Sequence, residues 1–421
     1  MYSSISPSHR FLIVFAIVFS GEIIFSLPFH VARFFRPTLL EVFSLTNTEL
    51  GDIFGLYGIW AMLAYFPGGA IADRFSAKNL MIISLTATAF GGFLFIQIPS
   101  MTTLSLLFGY WGITTILLFW AAMIKITRIW GGESTQGIAF GILDGGRGLV
   151  AAGIASISVF ILNSSIPLAS VLDTTADKTQ ALQHVIAFYT ALTFIGAGFI
   201  YFIIPSASEQ SSSSTKKLTT LNVFKNLLET IQQPKILVQA LIVLSAYCAY
   251  KGLDYFGLYA SQVLKLDDVA SAKLVADASF LRPVVAIVAG LIADKLQPSK
   301  LISILFGLLA TSYLCFIPND QQWLLQANIF ITFIFVFAVR AVYFALLAES
   351  KISGAITGTA VGTISMVGYT PDIFFAPVAG RILDANPGIA GFTNLFLLMA
   401  TISVIGLISA LYLSKIATDN K

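Results

Sequence analysis

Gly69-Ala70-Ile71-Ala72-Asp73-Arg74-Phe75-Ser76-Ala77-Lys78 returns later in altered form as Gly290-Leu291-Ile292-Ala293-Asp294-Lys295, followed by Lys300. In both copies a glycine stands four residues before an aspartate, a cation follows at once, and long apolar runs lie on either side. A second pair agrees with the first: Glu133-Ser134 with Gly137 and Gly141 is echoed by Glu349-Ser350 with Gly354 and Gly358. Both pairs are offset by about 220 residues, roughly half the chain, and repeats at that period between apolar runs indicate a membrane transporter built from two similar halves. A helix ending at Asp73 has to reverse within a few residues, so Gly69 permits close backbone approach while Arg74 and Lys78 stay at the headgroups. The aspartate has a second use, because a negative charge at a helix N-terminus is stabilised by ~0.3 to 1 kcal/mol. Asp73 is expected to face the helix beginning near Gly354, and Asp294 the one beginning near Gly137, as an inter-half latch; the plainer alternative is a charged turn.

Composition fixes the class. Of 421 residues 57% are hydrophobic, 36 are Phe and only 11% are charged, with a mean hydropathy of +0.86. A soluble globule cannot hide that much apolar surface, so the chain belongs in a bilayer. The net charge of +3 is spread without a basic block, which argues against a nucleic-acid partner. Cys248 and Cys315 lie in apolar runs and offer neither a disulfide framework nor metal-ligand spacing. No nucleotide-binding loop or nucleophile constellation is present, so no enzyme, cofactor or metal is expected.

Apolar runs of roughly 20 residues predict an all-α membrane protein with twelve transmembrane helices. They cover 11–33, 49–72, 79–97, 102–127, 136–162 and 182–204, then 236–262, 272–293, 299–317, 322–350, 354–383 and 391–414. The first run is too long for a signal-peptide core and holds Glu22, so it reads as a retained span. The expected domains are 1–204, a linker at 205–235 and 236–421. The linker opens Ser-Ala-Ser-Glu-Gln after Pro205 and is too polar to span; Val223, Phe224, Leu227, Leu228 and Ile231 give its later part the spacing of a surface amphipathic helix. With a cytoplasmic N-terminus, fourteen of the 24 Lys and Arg fall on the inner side and six, including Arg33 and Arg36, on the outer side or at outer helix ends. That bias places both termini in the cytoplasm.

The repeated loop is similar to the signature loop of the major facilitator superfamily, with Ser76 and Ala77 where that family usually has glycine and arginine. The resemblance implies two pseudo-symmetric six-helix bundles around a central cavity, opened alternately to each side, with a monomer as the family expectation. The fourth span lacks the midspan arginine of the drug antiporters. Its neighbour, from Gly137 to Gly146, has their glycine spacing without the proline, and small residues every four positions also simply let membrane helices pack closely. Gly146-Arg147-Gly148, Arg340-Ala341-Val342-Tyr343-Phe344 and Ile382-Leu383-Asp384-Ala385-Asn386-Pro387-Gly388 resemble segments of little-characterised bacterial permeases associated with sulfosugar catabolism. Those in turn resemble organic-anion and organophosphate transporters of the inner membrane.

Eight ionisable groups fall deep within the spans: Glu22, Asp144, Arg147, Lys251, Asp254, Arg282, Arg340 and Asp372. Each charge at that depth costs at least ~2.5 to 3.5 kcal/mol on insertion scales, so each should face water or a partner. Asp144 with Arg147, and Lys251 with Asp254, have i,i+3 spacing for local pairs. Arg147, Arg282 and Arg340 supply planar forks suited to carboxylate, phosphate or sulfonate, with Lys251, Tyr255 and Tyr343 as further substrate contacts. The alternative for all of them is a set of salt bridges fastening the bundles. Glu22, a lone carboxylate among Phe11, Phe15, Phe19 and Phe25, is the first candidate for proton coupling, with Asp372, Asp144 and Asp254 behind it; a structural hydrogen-bonding role is the alternative. His30 is expected at the interface. Tyr57, Trp111, Trp120, Tyr255, Tyr343 and Tyr369 are candidate cavity linings, and Pro283 and Pro371 mark helices that bend beside a cavity.

The expected function is secondary active transport of a small organic anion, a sugar acid, sugar phosphate or sulfonate, with proton symport. Efflux of amphipathic cations or drugs by proton antiport and a non-transporting membrane sensor are the alternatives. The partners expected are the anion, protons and lipid.

Overall fold

Backbone N–H and C=O groups in hydrocarbon have no water to bond, so each apolar run closes its own hydrogen bonds as a helix. The computed structural model describes residues 7–131, 136–165, 175–205, 234–317, 321–346 and 357–419, and these contain helices and no strands. Each of the twelve runs coincides with a helix or a broken helix. They are α1 (Ser8–Ile23 with Ser26–Phe34), α2 (Asn47–Arg74), α3 (Ala77–Phe95), α4 (Met101–Trp130), α5 (Gln136–Ser165) and α6 (Thr175–Ile203). Then come α7 (Pro234–Gln262), α8 (Asp268–Ala293), α9 (Pro298–Leu314), α10 (Gln322–Val342), α11 (Thr357–Gly368 with Pro371–Ala385) and α12 (Ile389–Asp419). Among the described residues eight are long and apolar enough to cross a membrane as single helices, and ten if each bent pair counts as one span. Large apolar side chains such as Phe202, Phe160 and Leu106 are more than two-thirds exposed, as lipid-facing surface requires. The amphipathic stretch at 223–231 lies outside the described residues.

Residue contacts define two units. The first holds residues up to 207 together with 254–283 and 376–388; the second holds 208–253, 284–375 and 389–421. The C-terminal end of α7, the first part of α8 and the last turns of α11 are thus grouped by packing with α1 to α6, so contact does not follow sequence order at these three places.

Breaks in the helices have local causes. Pro28 lies in a π-helical turn at Ser26–His30, where α1 bends by 44°, because proline removes a donor and its ring crowds the turn before it. Pro67 sits at the 49° bend of α2. A second π-helical turn, Thr114–Trp120, widens α4, and such turns loosen the regular ladder. Hydroxyls gather at its start: Ser84 donates to the Thr114 carbonyl, Thr88 to the Thr114 hydroxyl at 2.8 Å, and the Tyr57 and Thr115 hydroxyls pair at 2.7 Å. The start of α2 carries a full capping box, Thr46 accepting from the Glu49 amide while Glu49 accepts from the Thr46 amide at 2.8 Å. Trp111 and Tyr57 are buried in this α2–α3–α4 packing, with Trp111 Nε1 donating to the Thr88 carbonyl at 3.0 Å, so they serve the core and do not line a cavity.

Close helix approach depends on small residues. A Cβ on Gly112 would lie 2.5 Å from the Tyr57 carbonyl oxygen. That neighbour is backbone inside α2 and cannot swing aside. Gly112→Leu should therefore force α2 and α4 apart and cost on the order of 1–3 kcal/mol as overpacking does. The check is a lowered thermal unfolding midpoint in detergent relative to Leu106→Ala, a lipid-facing control.

Candidate functional site

The bend in α1 builds the first part of the site. Along a straight α-helix Glu22 and His30 would be about 12 Å apart. Across the 44° bend and the π-helical turn, Glu22 Oε1 meets His30 Nε2 at 3.1 Å. The other oxygen, Oε2, accepts from Arg147 Nε of α5 at 2.9 Å. Glu22 and His30 are 3% and 2% exposed and Arg147 is buried. The Arg147 guanidinium also stands 5.5 Å from the Phe25 ring and 5.9 Å from Trp120, within cation–π range. Gly146 makes room, since a Cβ there would press on Val18 of α1 at 2.8 Å. Two expectations change. Glu22 is not lone but held between two cationic or proton-bearing groups, and His30 is buried beside it, not interfacial.

The i,i+3 pairs expected within α5 and α7 give way to partners on other helices. Asp144 accepts from Arg282 Nη2 at 2.7 Å, and Asp254 accepts from Arg33. Gly148 explains the path of Arg282, whose Cδ would be 2.7 Å from a Cβ there. Both pairs join a first-half helix to a second-half helix inside the first unit. Arg33 and Arg36, counted as outer-end charges, are buried, and the Arg36 guanidinium lies 4.2 Å from the Tyr255 ring centroid. Tyr255 is itself buried, its hydroxyl donating to the Ala376 carbonyl at 3.4 Å.

The second unit holds its own cluster. Pro371 interrupts α11 after Gly368 and sets Asp372 in the first turn of the following piece. There Asp372 meets Lys251 Nζ at 3.1 Å and accepts from the Tyr247 hydroxyl, 3.0 Å from each carboxylate oxygen. Tyr247 packs on Tyr369 at 4.9 Å and on Tyr250 at 6.1 Å; the Tyr343 and Tyr369 hydroxyls stand 3.5 Å apart. The guanidinium of Arg340 lies 3.8 Å over the Tyr250 ring. Lys251, Arg340, Tyr343, Tyr369 and Asp372 thus come together, as do Glu22 and Arg147, and Asp144 and Arg282. Tyr247 and Tyr250 were not singled out from sequence. Their signal was a Tyr-x-x-Tyr-Lys run placing two rings and an ammonium within one turn of α7.

The loop residues are elsewhere. Asp73, Arg74, Asp294 and Lys295 are exposed, and Gly69 and Gly290 have open space around their Cα atoms. Lys78 donates to the Ile204 carbonyl at 2.6 Å at the end of α6, and Lys125 to the Ala72 carbonyl at 2.9 Å. Cations thereby meet the carbonyls left over at helix C-termini. Gly354, which Asp73 is expected to face, and the segment 132–135 just before α5 lie outside the described residues.

Comparison with known proteins agrees with this architecture. The family model of the Major Facilitator Superfamily matches residues 11–373. The chain is 25% identical to the inner membrane protein YqcE of Escherichia coli (strain K12), over 98% of this chain and 96% of that one. It is 26% identical to the inner membrane protein YihN of the same strain, over 95% and 94%. The crystal structure of the nucleoside transporter NupG matches with a TM-score of 0.72 at 15% identity, over 97% of this chain and 99% of that one. A bacterial homolog of the human lysosomal transporter Spinster, inward-facing and unoccupied, matches with a TM-score of 0.71 at 14% identity, over 98% of each chain. At such identities the solved structures speak for the fold alone. Twelve helical segments among the described residues, charged groups paired between them and a family match over most of the chain lead to one conclusion: this multi-pass membrane protein belongs to the Major Facilitator Superfamily and is a transporter, not an enzyme.

Proposed function

We propose that the chain carries a small organic anion, of the sugar acid, sugar phosphate or sulfonate kind, across the inner membrane by proton symport, with both termini cytoplasmic. It falls, on this reading, with the permeases associated with sulfosugar catabolism. The observation that carries the proposal is the cluster around Arg340. The Arg340 guanidinium stands 3.8 Å over the Tyr250 ring, and its planar fork matches the geometry of oxyanions. Lys251, one residue on from Tyr250, brings a second cation, and Tyr247, Tyr343 and Tyr369 offer flat faces and hydroxyls to a ring with polar substituents.

Arg147 and Arg282 complete the anion-binding set, each already engaged by a carboxylate. An incoming anion competes with Glu22 for Arg147. Glu22 then becomes a buried charge with its strongest partner withdrawn, a situation costing several kcal/mol, and a proton neutralises it. On this reading His30, 3.1 Å away, passes that proton. The same exchange links Asp372 to Lys251, Asp144 to Arg282 and Asp254 to Arg33, so each acid binds a proton when its cation turns to substrate or separates. Tyr255 contributes by fixing the second half's helix end beside Arg36.

Proteoliposome uptake of sugar acids, sugar phosphates and sulfonates, with and without an inward-acidic gradient, tests the reading. Arg340→Ala and Arg147→Ala should each slow uptake by roughly 10- to 100-fold, the range for losing a charge-assisted hydrogen bond of about 1.5–3 kcal/mol; unchanged uptake in both variants ends the anion reading. Glu22→Gln should retain substrate exchange but lose acceleration by the acidic gradient. Persistence of that acceleration would remove Glu22 from coupling.

A further inference from the structure

The face of the first unit opposite the N-terminus carries a seam between α2 and the last turns of α11. Asp384 of α11 accepts from the Asn47 amide at 3.2 Å and from the Thr48 amide at 2.6 Å, and again from the Asn47 side-chain amide at 3.1 Å. Asn47 and Thr48 are the first two residues of α2. The third amide, that of Glu49, already has its acceptor in Thr46. The first-turn donors of a first-half helix are therefore shared between its own cap and a carboxylate from the second half.

We infer that Asp384 is a positioning residue of the transport cycle, a detachable cap that holds this face closed by occupying the N-terminus of α2. The local capping box explains why it can detach. Thr46 and Glu49 secure the helix by themselves, so α2 does not need Asp384 in order to remain helical, and the carboxylate serves to join the two chain segments. A negative charge at a helix N-terminus is favoured by both the free amides and the helix dipole, and Asp384 is partly buried where that attraction is less screened. The neighbouring Arg381–Asp52 pair, at 2.7 Å, is roughly half exposed on both partners and adds little.

Backbone contact defines the closed position. A Cβ on Gly51 would lie 2.4 Å from the Ala376 carbonyl oxygen, and one on Gly380 would lie 2.3 Å from the Asn47 carbonyl oxygen. Neither neighbour is a side chain that can move aside. The two glycines, one on each helix, let the backbones approach until Asp384 reaches the amides. Asn47 extends the contact inward, its Oδ1 receiving Arg36 Nε at 3.4 Å while its amide group serves Asp384. A buried arginine is thereby linked to the capping carboxylate through one side chain.

Electron–electron distance measurements between spin labels at Ser44→Cys and Asn386→Cys test this, in full-length protein with Cys315→Ser and the buried Cys248 retained. The parent should give a dominant short-distance population. Asp384→Ala should shift the ratio of separated to closed populations by roughly tenfold, as loss of about one charge-assisted hydrogen bond does, and Asp384→Asn, which keeps the shape, should shift it in the same direction. Gly51→Leu and Gly380→Leu should each abolish the short distance. Thr46→Ala should lower thermal stability without moving the ratio. An unchanged distribution in both Asp384 variants, a short distance surviving Gly51→Leu, or an equal shift in Thr46→Ala would each overturn the inference. None of these readouts depends on the identity of the cargo.

Discussion

A charge inside hydrocarbon has to find its counter-charge within the protein, and that requirement shapes this chain more than any other. Glu22, Asp144, Asp254 and Asp372 each have a cation within contact distance, on a different helix in every case. The bends follow from it as well. A straight α1 would leave His30 out of reach of Glu22, and an unbroken α11 would not present Asp372 from a helical first turn. Gly148 lets the stem of Arg282 cross α5, so even the small residues serve the pairing. Burying an ion pair is seldom a source of net stability. Three of the four pairs are largely buried, while the Asp144 side chain of the fourth is 41% exposed.

Much of the scaffold was legible in the sequence because hydrocarbon thickness sets a length that apolar runs must match. Among the described residues all twelve runs correspond to helical segments, and the interruption at Pro371 follows from proline chemistry. Partner choice was not legible in the same way. Spacing suggested Asp144 with Arg147 and Lys251 with Asp254, since a local pattern displays only neighbours three or four residues apart on one helix. The actual partners stand from 121 to 221 positions apart in sequence for Lys251–Asp372, Glu22–Arg147, Asp144–Arg282 and Arg33–Asp254, and only packing brings them together. The π-helical turns left no mark beyond Pro28, so His30 could not be placed next to Glu22 in advance. Tyr247 and Tyr250 were hidden by the abundance of aromatic residues.

The repeated Gly-to-Asp loop and Asp384 each set a carboxylate close to a helix end. The loop was prominent because it recurs. Nothing in Ile-Leu-Asp-Ala-Asn-Pro-Gly tells which distant amides Asp384 will meet. Two donors at the start of α2 and two glycines without room for a methyl group give it its meaning.

The π-helical turn of α4 has a consequence for the angular register of that span. An α-helix advances by about 100° per residue, and a π-helical turn absorbs one residue more than an α turn. A chain shortened by one residue between Thr114 and Trp120 could run straight through as regular helix, but everything beyond would be rotated by roughly that angle. Lys125 would swing away from the Ala72 carbonyl and Trp120 away from Arg147, with no change in composition or hydropathy. The extra residue thus works as a phase-setting element: it lets one face of α4 serve the buried Trp111 packing above and another face serve the Arg147 cluster and the end of α2 below.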